Sequence, residues 1–202
     1  MSPFFIMNWF ELFFLKLGFS FAFAKFLPYL FLLIIGFFLA NRLLKLLKPK
    51  ITKIWLQGLF FVSTFIQPFL FYFFFYPIYQ GDLIEMSYKP SGVISPLPKE
   101  ALVIIALPGC SFCSQSTQTM RSIRPFLRTK VIYWVLGSDE SNLKAYQQLV
   151  GRGILCELKP NIQEIIPLTQ GSFPTYLQIK NGKIIKAWHN DTFGIKALEE
   201  MD

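Results

Sequence analysis

Residues 101–116 read ALVIIALPGCSFCSQS, from Ala101 to Ser116. The first seven are an unbroken apolar run with β-branched Val103, Ile104 and Ile105 at its centre. A short apolar run of this kind, closed by a turn signal, is a strand buried on both faces. Pro108-Gly109 supplies the turn. Cys110 then opens a stretch that reads as helix to about Ile123, ending before Pro125. A strand, a tight turn and a helix beginning on a C-x-x-C therefore stand in one short segment.

Downstream the alternation continues. Val131–Leu136 (VIYWVL) is a second buried strand. Ser138 or Asp139 caps a helix running to about Val150, and Gly151 ends it. Gly153–Leu158 is a short strand, and a helical stretch is expected between Asn161 and Thr169. Thr175–Lys180 and Lys183–Trp188 flank Asn181-Gly182, the strongest short hairpin signal. Thr192–Met201 closes as a helix. Strands alternating with helices imply a parallel core with crossovers, to which the hairpin adds an antiparallel edge. The expectation is an α/β domain over 101–202. Residues 80–100, with Gly81, Pro90, Gly92, Pro96 and Pro98, read as a linker carrying one short strand near Asp82–Tyr88.

Upstream the composition changes. Of 202 residues 53% are hydrophobic and 24 are Phe, and the excess lies before residue 80. Two runs are long enough to span a bilayer, about 20 residues each: roughly Phe26–Leu44 and Ile54–Tyr79. The segment before Lys25, with Glu11 and Lys16, reads as an extension of the first run or as a helix lying in the interface. Ala22-Phe23-Ala24 has the form of a cleavage site, but the first ten residues hold no Lys or Arg and more apolar sequence follows, so the anchor is expected to stay uncleaved. Residues 1–79 are thus read as an anchor with two transmembrane helices and room for a third.

The formal charge of +8 is localised. Arg42, Lys45, Lys48, Lys50 and Lys53 crowd the loop between the two apolar runs, whereas the chain after residue 80 carries 13 basic and 11 acidic residues. A short basic loop between spans marks the cytoplasmic side. This argues for a lipid bilayer as partner and against nucleic acid, and it places the second span's exit and residues 80–202 on the extracytoplasmic side of a plasma (inner) membrane.

The chemistry rests on Cys110-Ser111-Phe112-Cys113. Disulfide exchange needs a thiolate that attacks and a second thiol that resolves the mixed disulfide. At a helix N-terminus, unpaired N–H groups and the dipole stabilise the first sulfur as an anion. One turn on, Cys113 would sit deeper. A zinc site would need two further ligands, and Cys156 and His189 are the only other Cys or His of the chain. A purely structural bridge across so few residues would constrain little.

With GSFPTYLQIKNGKIIKAW at 171–188, these residues resemble the thioredoxin superfamily from about Ala101 to Asp202. The resemblance implies a mixed sheet flanked by helices, no cofactor or metal, and protein thiols or disulfides as substrates. It implies Cys110 and Cys113 as the catalytic pair. It also implies a cis peptide before Pro174, facing that pair, with Phe173 and Thr175 beside it in the docking groove. The chain departs from the family pattern at three places. Gly109 stands where Trp is common, Ile104 where a buried acid would accept the resolving thiol's proton, and Phe173 where a smaller residue is usual. Reductase, oxidase and isomerase all remain open.

Cys156, in the apolar run ILCEL, reads either as a core residue or as a regulatory thiol, and His189 as a surface residue. Because residues 1–79 contain no Cys, thiol chemistry within the chain cannot carry electrons across the membrane; a separate membrane or soluble redox partner is expected. Two other functions compete: a thioredoxin-like copper chaperone using Cys110, Cys113 and His189, and a non-catalytic subunit of a membrane complex.

Overall fold

The structure is a computed structural model that describes residues 8–47, 53–90 and 96–201. Lys48 and Lys50 of the basic loop, Gly92 of the expected linker and Asp202 lie outside the described residues. Residues 8–78 form one compact unit, and the chain from Tyr79 onward forms a second.

The first unit is helical. α1 (Trp9–Lys16) is followed by α2 (Phe21–Leu47) and α3 (Ile54–Phe75). At 1.5 Å per residue, α2 and α3 are about 40 and 33 Å long. Both are long and apolar enough to cross a membrane. α2 and α3 pack antiparallel, with Tyr29 against Phe69 and Phe37 against Phe61. Of the segment before Lys25, Phe21–Ala24 begin α2, and the part before Gly18 is too short for a third span. It is a separate helix of eight residues, which turns at Gly18 (φ 87°) and packs on α2. The reason is electrostatic. Glu11 and Lys25, 0% and 1% exposed, lie 3.3 Å apart and remove each other's charge from the apolar interior. Glu11 also accepts the Asn8 backbone N–H, and Asn8 Oδ1 accepts that of Glu11, so the start of α1 is capped within apolar surroundings.

The second unit is a five-stranded sheet, β1 (Glu100–Ala106), β2 (Val131–Leu136), β3 (Leu155–Lys159), β4 (Thr175–Lys180) and β5 (Lys183–Trp188), in the order β3-β2-β1-β4-β5. β1, β2 and β3 are parallel; β4 and β5 are antiparallel to their neighbours. The parallel pairs are joined by α5 (Ser111–Ile123) and α6 (Glu140–Val150), and α6 is capped by Asp139. α7 (Ile162–Thr169) and α8 (Ile195–Met201) complete the unit. Asn181 and Gly182 both take positive φ in the two-residue β4–β5 turn.

Alternation along the strands makes two cores. Val103, Ile105, Trp134, Leu177 and Ala187 share one face with Ile165 and Leu168 of α7. Ile104, Tyr133, Tyr176 and Trp188 lie side by side on the other face, beneath α5. This is the mixed sheet flanked by helices that the sequence predicts, and the fold is thioredoxin-like.

The stretch read as a linker is in part built into this domain. Instead of a strand over Asp82–Tyr88 it forms α4 (Gln80–Leu83) and one isolated antiparallel bridge, Tyr88 to Ala187. Asp82 is buried and accepts the N–H groups of Tyr79 (3.1 Å) and Ile195 (3.3 Å), which ties α4 to the start of α8. Glu85 pairs with Lys186 of β5 at 2.6 Å. A buried donor left without its acceptor costs about 1–3 kcal/mol. Asp82→Ala is therefore expected to lower the unfolding free energy of the domain by about that amount in urea titrations. An unchanged midpoint would mean that this stretch contributes nothing to the fold.

Candidate active site at the Cys110–Cys113 turn

β1 delivers the chain to the site. Its last residues pair with β2 and β4 on either side, so the end of the strand is held in the middle of the sheet. The chain then turns through Leu107-Pro108-Gly109, where Gly109 has φ 74° and the Cys110 N–H donates to the Leu107 carbonyl at 3.3 Å. Tyr146 of α6 donates its hydroxyl to that same carbonyl at 3.0 Å, fixing the turn from the helix side. Gly109 stands in a backbone conformation that a large side chain such as Trp would adopt only under strain.

Cys110 is the N-cap of α5, and its Sγ accepts the Cys113 N–H at 3.1 Å. The two cysteines are joined as a disulfide, with Cα atoms 5.2 Å apart. Cys110 is half-buried and Cys113 is fully buried. Burial and position therefore distinguish the two sulfurs. The outer one has an N–H donor and the helix N-terminus to hold a negative charge, and the inner one has the apolar face of the sheet behind it. Leu107 and Phe112, 37% and 40% exposed, form an apolar rim beside them.

The Phe173–Pro174 peptide is cis. Thr175 pairs with Ile105, so the loop before β4 emerges at the same end of the sheet as the cysteine turn. The three residues expected to border a docking groove are buried or half-buried. Pro174 is buried directly before β4. Phe173 packs against the α7-side core. Thr175 is fully buried, with its hydroxyl donated to the Ser172 carbonyl at 2.5 Å.

A hydroxyl network beneath Cys113 was not anticipated from the sequence. Ser116 donates to the Cys113 carbonyl at 2.7 Å, and its Oγ lies 3.0 Å from the Tyr133 hydroxyl. Tyr133 and Tyr176 flank Ile104 on neighbouring strands. The position without the family's acid is thus bordered by two phenols. Burial raises both hydroxyls well above the ordinary tyrosine range, so they stay protonated and serve as neutral hydrogen-bonding groups. The only sequence signal was period-two alternation placing Tyr133 and Ile104 in equivalent rows, which becomes readable once the register is known.

Tyr88 belongs to the loop's support as well. Its hydroxyl donates to the Leu168 carbonyl at 2.7 Å, and its ring stacks on His189 at 4.4 Å. His189 Nε2 lies 3.3 Å from Gln170 Oε1. His189 is thereby engaged behind the loop. Among the described residues, no three His, Cys, Asp or Glu side chains gather where they could hold a metal ion. Cys156 lies half-buried on edge strand β3, in register with Tyr133.

A central strand, a cysteine pair capping the following helix and a cis-proline loop at the same sheet end define the class: a thioredoxin-like domain with a C-x-x-C centre. No known family model matches the chain, and no curated protein matches it. Among solved structures, it is similar to a secreted disulfide oxidoreductase of Mycobacterium tuberculosis described as homologous to E. coli DsbE. That likeness has 12% identity and a TM-score of 0.40, over 55% of this chain and 87% of the other. It is also similar to the thioredoxin domain of a thiol-disulfide oxidoreductase from Bacteroides vulgatus, at 16% identity and a TM-score of 0.41, over 52% and 80%.

Burial pushes the Cys156 thiol up to about 11. The folded chain keeps this proton where the unfolded chain, with a thiol near 8.5, releases it. Stability from this residue is thus fully present below about pH 8.5 and is lost as pH rises toward 11, and the raised phenols of Tyr133 and Tyr176 add to the loss above about pH 10. At pH 8 iodoacetamide is expected to alkylate Cys156 about a hundredfold more slowly than a free peptide thiol. Labelling at the peptide rate would show a thiol open to solvent.

Proposed function

We propose that this chain is a membrane-anchored thiol–disulfide oxidoreductase that exchanges disulfides with extracytoplasmic proteins through Cys110 and Cys113. The observation that carries the reading is the unequal environment of the two sulfurs: Cys110 Sγ at the cap of α5 with the Cys113 N–H directed at it, and Cys113 fully buried behind.

In the reducing direction the Cys110 thiolate attacks one sulfur of a substrate disulfide. An S–S bond forms between Cys110 and substrate, and the other substrate sulfur leaves as a thiolate. Cys113 then loses its proton and attacks Cys110 Sγ. The Cys110–Cys113 bond forms, the mixed disulfide breaks, and the second substrate thiolate departs. Two electrons have passed to the substrate. Run backward, the same steps oxidise a substrate dithiol. The loop of Phe173, Pro174 and Thr175 borders the approach at the cysteine end of the sheet, and Phe112 and Leu107 supply apolar contact.

The anchor reading rests on α2 and α3, each long and apolar enough to span. The basic cluster from Arg42 and Lys45 in the last turns of α2 to Lys53 before α3 keeps their joined ends in the cytoplasm and so sends the end of α3 outward. Electrons enter or leave through a second redox protein or small thiols, since residues 1–79 have no cysteine.

Cys110→Ser is expected to lose exchange with a dithiol substrate down to the uncatalysed rate. Cys113→Ser is expected to accumulate a mixed disulfide on Cys110, visible on a non-reducing gel and cleared by dithiothreitol. Exchange by Cys110→Ser at the parent rate would rule the mechanism out.

A further inference from the structure

The loop that carries Pro174 leaves α7 at Thr169 and enters β4 at Thr175. Within it the Ser172 N–H donates to the Thr169 carbonyl at 2.9 Å, and the Gly171 N–H to the Thr169 hydroxyl at 3.2 Å. Gln170 and Gly171 both take positive φ, 49° and 77°. Gly171 adopts this freely. Gln170 does not: a residue with a side chain keeps a left-handed backbone where its surroundings hold it there.

What holds it is a series of contacts from the β5 side. Gln170 Oε1 lies 3.3 Å from His189 Nε2. An amide oxygen only accepts, so the ring carries its proton on that nitrogen. The His189 ring is stacked on Tyr88, with centroids 4.4 Å apart and planes 22° from parallel. Tyr88 donates its hydroxyl to the Leu168 carbonyl at 2.7 Å, and the Thr175 side chain is within hydrogen-bond reach of the same hydroxyl. One phenol thus meets both ends of the loop. Its support is rigid. Tyr88 exchanges two backbone hydrogen bonds with Ala187. The turn that bears His189 is closed by its N–H donating to the Thr192 hydroxyl at 3.0 Å, and a Cβ on Gly81 would overlap the Thr192 carbonyl.

We propose that Tyr88, His189 and Gln170 are positioning residues for the exchange reaction. They fix the loop from Thr169 to Pro174, so that it stands ready for a substrate chain beside Cys110 and Cys113. The inference rests on the reading of that loop as the border of the approach. The three residues act through the loop and take no part in the sulfur chemistry. Their loss therefore weakens capture of a peptide and spares reaction with a small dithiol, which needs no docking loop. A single neutral hydrogen bond shifts the equilibrium it biases by about twofold to tenfold.

The test uses the full chain in detergent and two second-order rate constants for reduction of the Cys110–Cys113 disulfide. One reductant is a ten-residue peptide carrying two thiols, which leaves as a disulfide while both cysteines become thiols; the other is dithiothreitol. Tyr88→Phe, His189→Phe and Gln170→Ala are each expected to lower the peptide rate by about twofold to tenfold and to leave the dithiothreitol rate unchanged. His189→Phe with Gln170→Ala should lose no more than either alone, since both remove one contact. Gln170→Gly separates positioning from strain: glycine accepts the positive φ, so the thermal midpoint should hold or rise while the peptide rate still falls. Unchanged peptide rates, a fall in both rates together, fully additive effects in the double variant, or Gln170→Gly at the parent's peptide rate would overturn the proposal. A parent chain that neither thiol reduces would instead overturn the oxidoreductase reading itself.

Discussion

A sulfur that is to carry a negative charge in a folded protein needs backbone N–H groups aimed at it, and here the end of β1 provides that place. The strand is central, hydrogen-bonded on both sides, and cannot shift without disturbing β2 and β4. Its last turn puts Cys110 at the cap of α5, where the Cys113 N–H reaches its sulfur. The contact is a single neutral donor, and the net worth of such bonds is about 1 kcal/mol in ordinary settings. Its effect on an ionising sulfur is larger, because it acts together with the helix N-terminus on one charge state only. The surrounding arrangement keeps that geometry in place: the Tyr146 bond to Leu107, the positive φ of Gly109, and the sheet register that brings the Pro174 loop to the same end.

The interior behind the pair is built from neutral groups. Cys156, Tyr133, Ile104, Tyr176 and Trp188 form one row across all five strands. No carboxylate stands in that row, and its phenols hold their protons. On the proposed mechanism the proton released by Cys113 therefore passes to water or to the departing substrate thiolate. Burial costs a neutral hydroxyl far less than a carboxylate, and Ser116 recovers part of that cost by bonding Tyr133.

The fold was legible because its signals are local. ALVIIAL and VIYWVL could be nothing but buried strands once their turns were seen, Asn181-Gly182 fixed the hairpin, and Asp139 and Gly151 bounded α6. The cysteines and Pro174 were legible by motif. What escaped depends on contacts between distant residues. The segment before Lys25 was ambiguous because its helix is decided by Glu11 meeting Lys25, 14 positions on. Residues 80–88 read as linker because glycine and polar composition says nothing of Asp82 bonding Ile195. The packing of Phe173 into the α7-side core depends on which strand residues face α7, and that needed the β1–β4 register.

The bridge between Tyr88 and Ala187 has a further consequence. β5 is an outer strand, and an outer strand offers unpaired N–H and C=O groups to any extended chain. A catalyst of disulfide exchange meets incompletely folded proteins, which are rich in such chains. Tyr88 occupies both groups of Ala187, at 2.8 and 2.9 Å, while the charged Lys183 and Lys186 line the same strand. Residues 80–88 thus act as a guard rail at Ala187, closing that stretch of β5 to any extended chain that would add there as a sixth strand.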